Sequence, residues 1–159
     1  MEQRRIAKTL RVFSVLSGII GGVFFFWFMP MCINEVIKIE EILSFLKWPG
    51  TIMMWVIAGV CYYALYNFFK VCYHIEQGNS FCEENVVNMK NIGNAASIVT
   101  IIILLGDICL LIAGWLHPFM IVVSLISIFI ASSFTVISYA LSSLIANAVK
   151  IKEENDLTI

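Results

Sequence analysis

AASIVTIIILLGDICLLIAGWL, residues 95–116, carries a single charged side chain, Asp107. A helix needs about 20 mostly apolar residues to cross a bilayer, so this stretch predicts a transmembrane span. Working outward, residues 12–29, 51–71 and 119–146 read the same way. The chain of 159 residues is 60% hydrophobic and 13% charged, with a mean hydropathy of +0.92. Soluble domains run at about 45–50% apolar and about 25% charged. A soluble fold of this size has too little interior to hide such a surface. The expected fold is therefore all-α: one integral membrane domain, a four-helix bundle. Arg4, Arg5, Lys8 and Arg11 precede the first span as in a signal peptide. Its apolar core is longer than a signal sequence requires, and no small-residue cleavage pattern follows Met29, so a retained span is expected.

Orientation is read from Lys and Arg in the flanks, which favour the cytoplasmic side. Arg4, Arg5, Lys8, Arg11, Lys70, Lys90, Lys150 and Lys152 fall on one side, and only Lys38 and Lys47 on the other. Both termini are expected in the cytoplasm. Trp27, Trp48, Trp55 and Trp115 then fall toward the outer ends of the spans, where amphipathic indole rings anchor in the headgroup layer. Between the first two spans, Val36, Ile39, Ile42, Leu43 and Leu46 share an arc away from Lys38, Glu40, Glu41 and Ser44. That pattern predicts an amphipathic helix over about 34–47, lying flat on the outer leaflet or capping the bundle.

The loop between the second and third spans is the most informative. Phe68, Phe69, Cys72 and Ile75 continue a helical face past the second span, and Gly78-Asn79-Ser80 reads as a turn. Ser80 and Glu83 have the spacing of a capping box, in which each side chain bonds the other's free backbone N–H. No proline follows before the third span, which predicts one helix over about 81–116, roughly 54 Å long. The hydrocarbon core accounts for about 30 Å. Spans two and three should therefore project as a cytoplasmic helical hairpin with Ser80, Glu83, Glu84 and Asn85 on its surface.

Within the membrane, small residues mark helix contacts. Ser14, Gly18 and Gly22 lie four apart in the first span, and Ser124, Ser127, Ala131, Thr135, Ser138, Ser142 and Ala146 form a longer stripe in the fourth. On the third helix Asn85, Met89, Gly93, Ala96, Thr100, Ile103 and Asp107 share one side at about 3.6 residues per turn. Asp107 is thus expected to face the bundle interior. No Lys or Arg lies in any span to pair with it. The expected state is the neutral acid, donating a hydrogen bond to Thr135, Ser138 or Tyr62. Thr100, Thr135 and Ser138 complete the intramembrane polar set around it, a functional candidate by default.

Other chemistries find little support. The five cysteines, Cys32, Cys61, Cys72, Cys82 and Cys109, are scattered and suggest no disulfide framework. Cys72, His74 and Cys82 lack the spacing of a zinc site. No P-loop, GxSxG or HExxH occurs. A net charge of −1 argues against direct nucleic-acid binding. No cofactor, metal or enzymatic activity is expected.

Residues 75–81, IEQGNSF, with Glu84-Asn85, Met89-Lys90, Ile92-Gly93 and the ending ENDLTI, resemble an uncharacterised bacterial family of four-span membrane proteins, a domain of unknown function. Members of that family are often encoded beside a small helix-turn-helix regulator of the Cro/repressor type. The resemblance implies a multi-pass protein of the bacterial plasma membrane and one arm of a sensory or regulatory pair. The expected function is a non-enzymatic regulatory partner working through its hairpin on that regulator or on another membrane protein. Two other classes fit the same residues: a small proton-coupled transporter or channel subunit using Asp107, as a homo-oligomer, and an immunity or envelope-stress protein.

Overall fold

The computed structural model describes residues 2–39, 47–114 and 118–156. The chain is helical almost throughout: α1 (Glu2–Val23), a π-helical turn (Phe24–Phe28), α2 (Met29–Ile39), α3 (Lys47–Glu76), α4 (Glu83–Ile112) and α5 (Pro118–Asp156). Four stretches are long and apolar enough to cross a membrane: Arg5–Glu35, Lys47–Glu76, Glu83–Ile112 and Pro118–Asn155. Consecutive helices pack in a row, α1 on α3, α3 on α4 and α4 on α5; among the described residues α1 and α5 make no close backbone approach.

The first span does not stop at Met29. Proline lacks an N–H and its ring crowds the carbonyl four residues back. Here the backbone widens just before Pro30, with the Met29 N–H bonded to the Phe24 carbonyl five residues away. One π turn absorbs the proline, as such bulges do, and helical backbone runs on to Ile39. The amphipathic segment expected to lie separately on the outer leaflet is therefore, as far as Ile39, a continuation of the first span. Its Glu40, Glu41, Ile42, Leu43, Ser44 and Leu46 lie outside the described residues.

Helices α4 and α5 are also longer than the bilayer core is thick. With 30 residues, α4 is about 45 Å long against a core of about 30 Å. With 39 residues, α5 is about 58 Å, and it continues as helix past the fourth apolar run as far as Asp156. Little of each apolar window is buried within the protein, as expected of helices that face lipid. Many of the buried side chains gather toward the end that carries the α3–α4 loop: Val71, Cys72, Cys82, Asn85, Asn88, Met89 and Ala95. Toward the opposite end Trp27, Trp48 and Trp55 are exposed. Trp115 lies outside the described residues.

Small residues set the close approaches. Ser14 is buried and bonds back to the Leu10 carbonyl. The Tyr62 hydroxyl donates to the Gly18 carbonyl at 2.6 Å, crossing from α3 to α1. A Cβ at Gly18 would lie 3.2 Å from Leu65, and one at Gly22 only 2.8 Å from the Tyr62 oxygen. Gly106 sits equally close to Met53, joining α4 to α3. Gly22→Ala should therefore displace the Tyr62 hydroxyl and lower the unfolding temperature in detergent, at a cost of about 1 kcal/mol for the lost bond. Gly21→Ala, with nothing within 4 Å, should be neutral. In a Tyr62→Phe background the Gly22→Ala penalty should shrink; an undiminished penalty would contradict the contact.

Candidate functional site

The loop end is built from the backbone outward. At the end of α3, Gly78 takes a positive φ of 82°, which costs glycine nothing. Its N–H bonds the Ile75 carbonyl at 3.0 Å, and the Asn79 N–H bonds the His74 carbonyl at 3.0 Å. This is a Schellman closure, which satisfies the last free carbonyls of a helix. The chain then extends, and Cys82 caps α4 with φ −136° and ψ 154° and no side-chain cap bond. The expected Ser80–Glu83 box is not formed, because α4 begins two residues later than that box requires. Asn85 occupies the third helical position instead and reaches back with its side chain.

Asn85 has no exposed surface. Its Nδ2 donates to the Ser80 carbonyl at 3.0 Å, and its Oδ1 lies 2.8 Å from His74 Nδ1. A carbonyl only accepts, so Nδ2 must point at Ser80 and Oδ1 at His74. His74 Nδ1 therefore carries a proton and donates it to Asn85. One carboxamide thus ties the last turn of α3, the loop and the first turn of α4. Cys82 Sγ lies 3.8 Å from the same ring nitrogen. Burial pushes the Cys82 thiol up from its ordinary range, so it is not the thiolate that nucleophilic chemistry needs. The Glu84 carboxyl, fully exposed, is held below its usual range first by its own backbone N–H and then by the Cys82 thiol. Glu83 and Glu84 both lie in the first turn of α4, where the helix dipole favours anions.

Further polar links fasten the other helices at this end. Arg11 Nη1 pairs with Glu76 Oε2 at 3.0 Å, with its guanidinium 5.0 Å from the Phe69 ring centroid. Asn91 donates to Asn67 at 3.3 Å, and Asn67 donates to the Tyr63 carbonyl at 2.8 Å. Ser142 Oγ donates to the Val86 carbonyl at 2.9 Å, and Tyr139 to Asn94, joining α5 to α4. Sequence reading singled out Asn85 but not this set. The signal available was the run Asn85, Asn88 and Asn91 at spacing three, with Asn67 on the preceding helix.

The intramembrane set is looser. Asp107 is half-buried, on the same arc of α4 as buried Asn85 and Met89, while Ile98, Ile101, Leu105 and Ile108 on other faces are exposed. Among the described residues no side chain bonds Asp107. The expected bonds to Thr135, Ser138 and Tyr62 are not made. Thr135 donates to the Ala131 carbonyl and receives Ser97 at 3.4 Å, Thr100 donates to the Ala96 carbonyl, and Tyr62 serves Gly18. Hydroxyls in a helix commonly donate to the preceding turn, as Thr135 and Thr100 do here. Ser138 is buried on α5, which packs on α4. Among the described residues no three His, Cys, Asp or Glu side chains come together as metal ligands would.

Four apolar helices joined by a polar loop end define a multi-span membrane protein. Residues 31–159 match a family of proteins of unknown function designated DUF2975, and the chain belongs to that family. It is similar to the uncharacterized membrane protein YoaS of Bacillus subtilis (strain 168), with 28% identity over 152 residues, 94% of this chain and 95% of that protein. No solved structure matches the chain.

Removing the Asn85 side chain should uncouple the loop end. Asn85→Ala leaves His74 and the Ser80 carbonyl without their partner, at roughly 1–3 kcal/mol per buried group left unsatisfied. Thermal unfolding followed by circular dichroism should show a clear drop in midpoint. A midpoint equal to wild type would show that the clasp contributes nothing.

Proposed function

We propose that this protein is a non-enzymatic membrane regulator that presents its α3–α4 hairpin to a cytoplasmic partner. The observation that carries the reading is an exposed aromatic on an ordered tip. Phe81 is 54% exposed, directly between the Schellman turn and the cap of α4. An apolar ring held out on a closed loop marks a contact surface better than one on a lipid-facing helix does. Support for the cytoplasmic side comes from the excess of Lys and Arg at this end. The partner we favour is a small helix-turn-helix regulator, the kind of protein often encoded beside members of the family. Asn85, although on the hairpin, is buried; its part is to hold the tip, and the docking surface is formed by Phe81 and Glu83.

The test is capture of the tagged full-length protein from its native host at native expression, in mild detergent, followed by mass spectrometry. A small DNA-binding regulator should be recovered, and Phe81→Ser with Glu83→Lys should cut its recovery about tenfold without changing the unfolding temperature. Recovery unaffected by both changes would remove the hairpin tip from the interface.

A half-buried carboxyl without a bonding partner favours one second reading, a proton-coupled transporter. In liposomes, Asp107→Asn should then abolish proton-coupled flux; flux that survives the substitution would exclude Asp107 from the mechanism.

A further inference from the structure

At the loop end, a cleft of about 710 Å³ opens between α3 and α4. Tyr66, Lys70 and Tyr73 line it from α3, and Glu83, Glu84 and Asn88 from α4. Lys70 Nζ rests 4.6 Å from the centroid of the Tyr66 ring, and among the described residues no carboxylate pairs with it. Across the cleft stand two carboxylates in the first turn of α4.

Asn88 shows that the cleft is more than a dent in the surface. It is only 6% exposed. Asn67 and Asn85, the other buried carboxamides, are each bonded within the protein. Among the described residues nothing bonds Asn88, and no polar atom of it is sealed off without a partner. Its amide therefore opens into the cleft, ready for an incoming oxygen. Beside the Lys70 ammonium and the two carboxylates, this amide gives the cleft a neutral donor and acceptor.

Depth and charge together say what kind of group that is. Lys70 lies six residues before the end of α3, about 9 Å along the axis. A hydrocarbon core of about 30 Å centred on this 30-residue helix would end close to Lys70, at the depth where tyrosine rings anchor. Tyr63, Tyr66 and Tyr73 are all exposed along this part of α3. An occupant at that depth reaches the cleft from the bilayer. It must also carry both signs, an anion for Lys70 and a cation for the carboxylates. Anionic lipids would meet Glu83 and Glu84 unfavourably. A choline headgroup has no N–H to give a carboxylate. A primary ammonium joined by two carbons to a phosphodiester satisfies both walls.

We propose that this cleft binds the headgroup of an ethanolamine phospholipid, with Lys70 and Asn88 on the phosphodiester and Glu84, backed by Glu83, on the ammonium. The acyl chains then run along the exposed apolar flank of the two helices. This site shares Glu83 with the proposed partner surface but not Phe81, so Lys70→Gln and Glu84→Gln test it apart from that surface.

Native mass spectrometry of the full chain in detergent tests it, with phosphatidylethanolamine, phosphatidylcholine and phosphatidylglycerol offered at equal concentration. The ethanolamine lipid should be retained about tenfold better than either competitor, the scale of one charge-assisted hydrogen bond. Glu84→Gln should bring it down to the choline lipid, Lys70→Gln should weaken both alike, and Glu153→Gln on the far end of α5 should change nothing. Equal retention of the three lipids overturns the proposal. So does a preference for phosphatidylglycerol, or an ethanolamine preference that Glu84→Gln leaves intact. Should a variant fail to fold, wild-type protein with the mono-, di- and trimethylated ethanolamine lipids decides the matter. Retention should fall stepwise as N–H donors are lost, and a flat series contradicts the site.

Discussion

A carboxamide with no exposed surface has to place both of its ends, and Asn85 places them on two different elements. Its nitrogen holds the loop at Ser80 and its oxygen holds the last turn of α3 at His74. In the hydrocarbon region, helices gain little from burying apolar faces against each other, because lipid is as apolar as leucine. Specific polar bonds and close small-residue contacts have to fix their arrangement. At the loop end those bonds are plentiful: the Asn85 clasp, Arg11 on Glu76, Asn91 on Asn67 and Ser142 on Val86. With α3 and α4 set by the clasp, α1 is fastened to α3 and α5 to α4. The opposite end has the exposed tryptophans and few fully buried side chains.

This distribution accounts for the row-like order of the helices. Each helix is fastened to its neighbour in sequence, and nothing among the described residues draws α1 and α5 together. Asp107 lies half-buried on the inward arc of α4, past the region where bonding partners are dense. The same reasoning explains why α3 and α4 stay ordered up to the loop that joins them. Isolated helix ends fray in water, but these two are joined by a closed turn and held by side-chain bonds that do not depend on lipid.

Much of the fold was legible in the sequence. Four apolar runs gave four helices, and Gly78 marked the turn because it takes the positive φ of a Schellman closure. The helical character of residues past the spans was visible in their spacing. Four features were not. Pro30 reads as a stop, yet a π turn carries the helix past it, a compensation that depends on backbone relaxation and leaves no composition signal. Ser80 and Glu83 have the spacing of a capping box, but the loop needs two more residues before α4 can begin, so Asn85 does the reaching back. The pairing of Arg11 with Glu76 joins residues far apart in the chain, and no local pattern announces it. Asn88 was equally silent, since only its surroundings distinguish an idle amide from a bonded one.

The account stands on a loop end at which α3 and α4 remain packed against each other. Amide hydrogen exchange on the full chain in lipid nanodiscs reads this directly, by comparing residues 68–76 and 83–93 with the exposed end of α5 at 150–155. The account predicts that the two hairpin segments exchange slowly, close to the membrane-embedded helices, while the end of α5 exchanges fast. Rapid exchange across the hairpin, matching the end of α5, would mean that the polar clasp does not hold α3 and α4 together and would contradict the account.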